Sequence, residues 1–158
     1  MRVHIGQYSK RFLSKEFSRP LVLGGVIIDE FEGLNDQLDG DVVTQSLCQA
    51  IGSCVGYHEI LKISKELIEN DGITDSLIYL ERCLGLLKKQ KISQISVSIE
   101  AKHLPLLENI ANMQKMLSKV TKVSEDKIGI TLFDSQGLSD VSCGDGIACV
   151  CLLTLTDQ

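Results

Sequence analysis

The sequence predicts an α/β (α+β) fold, in which a mixed four-stranded sheet carries helices mainly on one face. Three observations lead there. Short β-branched runs stand at both ends of the chain and again in its second half, alternating in apolarity or broken by paired glycines. Longer stretches between them repeat leucine, isoleucine and valine at helical spacing. In chain order these stretches read β-β-α-(α)-α-β-α-β-β, an order that predicts helices layered mainly on one face of a mixed sheet.

Arg2 to Gln7 alternates weakly and reads as a first strand, followed by a polar loop from Lys10 to Arg19. Pro20 to Asp29 (PLVLGGVIID) is apolar and β-branched around Gly24 and Gly25, a strand or bent hairpin. Leu38 to Cys54 is the stretch around which the chain is organised, an acidic turn that continues as a helix to about Tyr57. The Asp39-Gly40-Asp41 turn can set a carboxylate on the free N–H groups of the first helical turn. Val43, Leu47, Ala50 and Ile51 then form one apolar face. Asp41, Gln45 and Gln49 stand four apart and make one polar stripe. A stripe of this kind is either a solvated face or the floor of a metal or substrate site. Gln45 and Gln49 cannot ionise, and a neutral amide is a poor ligand for zinc.

Glu59 to Glu69 has helical spacing without a strong cap, and Asn70 to Gly72 is a turn. Asp75 opens a helix to about Gln90 on a stripe of Leu77, Leu80, Leu84 and Leu87. Ile92 to Ala101 is a strand, Leu104 to Val120 a helix, and Lys127 to Phe133 a strand. Gly144 to Gly146 turns the chain into a last strand, Ile147 to Thr156.

A chain of 158 residues with 23% charged side chains is expected to form one domain, 1–158. A net charge of -5 argues against non-specific nucleic-acid binding, and aromatics at 4% argue against base stacking. No run reaches the ~20 apolar residues of a membrane span. Arg2, Lys10 and Arg11 stand without an apolar run, so no signal peptide and a cytoplasmic location are expected. The six cysteines form no C-x-x-C pair, and Cys149 and Cys151 share one side of a strand as small buried hydrophobes. His4, His58 and His103 are scattered, and no zinc site can be read from them.

Several stretches together resemble the 2-C-methyl-D-erythritol 2,4-cyclodiphosphate synthases of the non-mevalonate isoprenoid route. They are Arg2 with Ile5 and Gly6, Pro20 to Ile28, Asp39 to Val42, Thr74 to Ser76, and Gly144 to Cys149. They fall in the family's order from residue 1 to about 156. The resemblance implies a compact homotrimer with active sites between subunits. It also implies zinc and magnesium, which help a substrate phosphate attack the neighbouring phosphorus and expel CMP.

Most of the family's site residues do not carry over. At the zinc ligands this chain has Tyr8, Lys10 and Gln45, and the aspartate after them is Gln49. Gln37 and Leu38 replace the histidine and serine before DGD. The ribose loop falls on Glu59 to Lys62 and the segment after it on Ser64 to Ile68. The cytosine-pocket run becomes Ala101 to Leu107, with Lys102 beside His103. The stabilising threonine becomes Leu132 or Phe133, while Thr131 remains, and Asp134 matches the acid that serves magnesium. An arginine position carries Cys143.

These changes favour a non-catalytic relative that keeps the trimer for binding or regulation, with no cofactor expected and Asp134 as a weak magnesium candidate. The alternative is an active synthase with an unusual site. Lys10 is expected to pair with Asp41, or else to offer its charge, with Lys62 or Lys102, to a phosphate-bearing small molecule. Thr131 and Asp134 complete the expected substrate-binding set.

Overall fold

The structure, a computed structural model, describes residues 1–103 and 105–157. In chain order it forms β1 (Arg2–Arg11), β2 (Pro20–Leu23), β3 (Val26–Glu32), α1 (Val42–Val55), α2 (Tyr57–Lys65) and α3 (Ser76–Leu84). There follow β4 (Gln90–Glu100), α4 (Ile110–Thr121), β5 (Ile128–Phe133), α5 (Asp140–Cys143) and β6 (Gly146–Asp157).

The main sheet runs β1-β6-β4-β5, with β4 and β5 parallel and the other pairs antiparallel. This is the mixed four-stranded sheet expected. Side chains of a strand point alternately to its two faces. Ile147, Cys149, Cys151, Leu153 and Leu155 of β6 therefore bury one face together with Ile95, Val97 and Ile99 of β4. Val43, Leu47, Ala50 and Ile51 of α1 belong to the same core. On the other face, Val3, Ile5 and Leu152 are exposed at 60%, 58% and 43%.

The Gly-Gly stretch is a hairpin, forming a separate two-stranded sheet of β2 and β3. Both loop residues have positive φ, 56° at Gly24 and 75° at Gly25, as a two-residue hairpin turn requires.

Several boundaries differ from the expected ones, each for a physical reason. β1 continues past Gln7 to Arg11, because β6 offers it a partner all the way from Leu155 to Gly146. The expected polar loop thus begins late, and Tyr8 and Lys10 sit on a strand. α3 stops at Leu84, since Gln90 is taken by β4 pairing opposite Asp157 and Lys88 turns at φ 50°. α4 begins at Ile110 after a tight turn at Leu107–Asn109; the expected start, Leu104, lies outside the described residues. α5 is too short for a periodic signal; its start is a capping box between Ser139 and Ser142. All six cysteines are free, with Cys48, Cys83, Cys149 and Cys151 buried.

Candidate functional site

Tyr8 and Lys10 lie two apart on β1 and point to the same side, toward the loop before α1. There they meet Asp36. The Tyr8 hydroxyl donates to Asp36 Oδ2 at 3.0 Å, and the Gln37 amide donates to Oδ1 at 2.8 Å. Lys10 Nζ stands 3.8 Å from Oδ1, with the side chains of Lys10 and Asp36 35% and 7% exposed. Lys10 also lies 5.4 Å from the centre of the Tyr8 ring, a cation–π contact. Arg19 fixes the loop by donating to the carbonyl oxygens of Asp36, at 3.1 Å, and Leu38. Burial first, and then the Asp36 carboxylate, push the Tyr8 hydroxyl well above its ordinary value. Tyr8 is therefore a protonated donor at neutral pH.

These residues form one wall of a cavity of about 540 Å³. Gln45 and Gln49 of α1 form its floor, and Tyr57, Leu61 and Ser64 of α2 roof it. α2 is held by the Tyr79 hydroxyl, which donates to the Ile60 carbonyl at 3.0 Å. Beyond α2 the chain makes one wide π-type turn, Glu66–Asn70, whose Ile68 also reaches the cavity. The positions matched to the family's ribose loop, Glu59 to Lys62, are thus helical.

The polar stripe of α1 is not a solvated face. Gln45 is buried, and its amide donates to Ser76 Oγ at 3.3 Å. Asp41 is fully buried and turned away from the cavity. Its Oδ1 accepts from Gly24 N (2.8 Å) and Thr44 N (3.0 Å), and its Oδ2 from Gly25 N and Thr44 Oγ1 (both 2.7 Å). Burial pushes this carboxyl up to about 6, against the donors of Thr44 and Gly25, which pull it down. Asp41 therefore ties the β2–β3 turn to the start of α1. The expected Lys10–Asp41 pair does not form, because hairpin and helix already occupy that carboxylate. Lys10 pairs with Asp36 instead. No spacing signal marks Asp36 in the sequence, since its partners Tyr8 and Lys10 come from a strand 28 and 26 positions earlier.

The other expected residues gather elsewhere, at the ends of the parallel strands β4 and β5. Leu132, 38% exposed, lines a cavity of about 180 Å³ with Ala101 and Leu106. Thr131 Oγ1 donates back to the Val97 carbonyl at 3.3 Å. Asp134 accepts from Gln136 N at 2.8 Å on Oδ1, while its Oδ2 lies 3.5 Å from His103 Nδ1. That Oδ2 is buried without a hydrogen-bond partner. Lys102 donates to the Cys143 carbonyl at 3.4 Å. Gln37 lines the Lys10 cavity, whereas Lys102 does not and Lys62 is exposed on α2. Within one chain, then, Lys10 does not act together with either lysine.

The YgbB family model matches residues 1–156. The 2-C-methyl-D-erythritol 2,4-cyclodiphosphate synthase of Chlamydia felis (strain Fe/C-56) is 38% identical over 157 residues, covering 99% of this chain and 89% of that protein. The one of Chlamydia caviae is 37% identical over the same shares. Among solved structures, the bifunctional IspDF of Campylobacter jejuni matches with a TM-score of 0.87 at 22% identity, covering 99% of this chain and 42% of that one. IspF of Plasmodium falciparum, solved as a CDP complex, matches with a TM-score of 0.77 at 23% identity, covering 99% and 96%.

These relatives correct one expectation, that no cofactor is used: they are cyclodiphosphate synthases, a family that uses divalent metals. The residues at the zinc positions do not fit that ion by their own chemistry. Lys10 is an ammonium without a lone pair, Tyr8 a protonated phenol, and Gln45 a neutral amide already bonded to Ser76. Among the described residues, no three His, Cys, Asp or Glu side chains converge as a metal site. Magnesium fits better, because Asp134 Oδ2, which has no hydrogen-bond partner, is a hard oxygen of the kind such an ion takes. A family match over nearly the whole chain, relatives above 30% identity and the shared fold agree: the chain belongs to the YgbB family, that of the 2-C-methyl-D-erythritol 2,4-cyclodiphosphate synthases.

Proposed function

We propose that this chain is a cyclodiphosphate synthase with a rebuilt site, closing a cyclic diphosphate and releasing CMP. The observation that carries this is the 38% identity with a synthase of that name over 99% of the chain. In the reaction, an oxygen of one substrate phosphate attacks the neighbouring phosphorus. The bond to CMP then breaks, and CMP leaves with the electron pair. Asp134 is the residue that would hold magnesium, which supplies charge neutralisation for the phosphates. Lys102, which lines one cavity with Asp134, would be a donor on the nucleotide side. Lys10 and Gln37 line the second cavity.

Val3, Ile5 and Leu152 leave an apolar face on the sheet, which supports a homotrimer closed about that face. Light scattering at micromolar concentration is expected to give three times the chain mass, and a stable monomer contradicts it. No helix of the described residues is long and apolar enough to cross a membrane, and a cytoplasmic location accords with that.

A second reading, a non-catalytic relative that keeps a binding role, is favoured by one observation. Lys10 and Asp36 pair where the family has a zinc ligand. A CMP-release assay with zinc and magnesium supplied, and metal content measured on the same sample, separates the two. Turnover above the protein-free blank is expected. Binding of CDP without any CMP release would favour the second reading.

A further inference from the structure

At the end of β4 far from Asp134, three lysines surround an apolar hollow. A cavity of about 440 Å³ opens there between the tight turn after α3, the start of β4 and the close of α4. Among the described residues lining it, Lys88, Lys91 and Lys122 are the charged ones, and all three are positive. Leu84, Leu87, Ile92 and Val120 make its apolar wall. β4 runs 11 residues from Gln90 to Glu100, so this cavity lies roughly 30 Å from the strand ends that carry Asp134.

Three like charges stand together here on a chain whose net charge is -5. Among the described residues, none of the three pairs with a carboxylate. Asp157, opposite Gln90 on β6, is an acid at this end of the sheet, yet it does not line the cavity. A helix C-terminus attracts cations, and that accounts for Lys122, which caps α4 and donates to the Lys119 carbonyl at 2.9 Å. It does not account for Lys91, a strand residue. Nor does it account for Lys88, which stands at φ 50° and ψ -97°, where a glycine would be unstrained. The chain holds a strained lysine at the rim of the cavity, and strain of this kind gathers at ligand sites.

One kind of occupant relieves both the repulsion among three ammonium groups and the wetting of the carbon beside them. Its head is an anion, which lysines meet as point charges. Its body is hydrocarbon, laid against the leucines, Ile92 and Val120. We infer that this cavity binds an amphiphilic anion, an acidic head on a short hydrocarbon chain. The inference goes beyond the proposed function, since it concerns a second site at the opposite end of the sheet.

The test titrates sodium octanoate, 1-octanol and sodium acetate separately into the full chain, followed by ligand-detected NMR. Octanoate is expected to bind about tenfold more tightly than either, because only it uses the lysines and the apolar wall together. Lys91→Glu is expected to weaken octanoate about tenfold, by setting a carboxylate against the head. Lys88→Gly removes a charge and the backbone strain at once, so octanoate binding weakens while the melting temperature holds or rises. A purely structural Lys88 would move the melting temperature alone. Octanol or acetate binding as tightly as octanoate overturns the inference, and this comparison needs no variant to fold. Unchanged octanoate affinity in Lys91→Glu and Lys88→Gly also overturns it. Cosedimentation with phosphatidylglycerol vesicles, without octanoate binding, would assign the lysines to a membrane surface and overturn it too. None of these readings depends on CMP release, so this inference and the proposed function fail separately.

Discussion

Replacing Asp41 by alanine is expected to cost about 4 kcal/mol of stability, because it strands four donors at once, three of them buried. Three are backbone N–H groups, of Gly24, Gly25 and Thr44, and the fourth is the Thr44 hydroxyl. Water cannot reach the site to replace the carboxylate, since Asp41 and Thr44 are both fully buried. At roughly 2–4 °C per kcal/mol for a chain of this size, the melting temperature should fall by about 8–16 °C. The damage should reach the hairpin as well as α1, because the same carboxylate holds both. Faster amide exchange at Gly24 and Gly25 would show that directly. A melting temperature within about 2 °C of wild type would mean that Asp41 does not hold the turn to the helix.

Gly6→Ala is the second large effect. Gly6 lies on β1 where α1 crosses it, and an added Cβ would overlap the Ser46 carbonyl oxygen and the Ala50 amide nitrogen. It would stand 3.0 Å from Ala50 Cα. Every neighbour is backbone of a buried helix, so no side chain can swing aside. Strand and helix must separate, at a cost of about 3 kcal/mol or more. Such a separation also shifts Tyr8 and Lys10 relative to Gln45, so any ligand of that cavity should bind more weakly. Thermal unfolding by circular dichroism checks the first effect, and a fall of at least about 6 °C is expected. Retention of the wild-type melting temperature would show that the β1–α1 contact is looser than described.

What was legible in the sequence was local. The alternation in Ile147 to Thr156 and the leucine stripe after Asp75 each report a single element's burial, and both elements are present. Gly24 and Gly25 announced a turn, because few other residues tolerate positive φ twice in succession. The end of β1 was not legible, because Ser9, Lys10 and Arg11 are polar and only their partners on β6 make them a strand. The candidate site was legible in part. Tyr8, Lys10, Gln37, Gln45 and Gln49 do line one cavity. The partner of Lys10 is not legible, because the DGD motif points to Asp41 while the hairpin amides that occupy that carboxylate come from far upstream. Asp36 carries no motif of its own, and only the fold brings it to β1.

The account rests most on the claim that this rebuilt site still closes the diphosphate ring. The direct measurement is phosphorus NMR of the full chain with zinc, magnesium and the cytidine-diphosphate-linked methylerythritol phosphate substrate. The account predicts cyclic diphosphate and CMP appearing in equal amounts, at a rate proportional to protein. Substrate that persists unchanged, beside a relative that converts it in the same buffer, would contradict the account and leave the chain a binding protein.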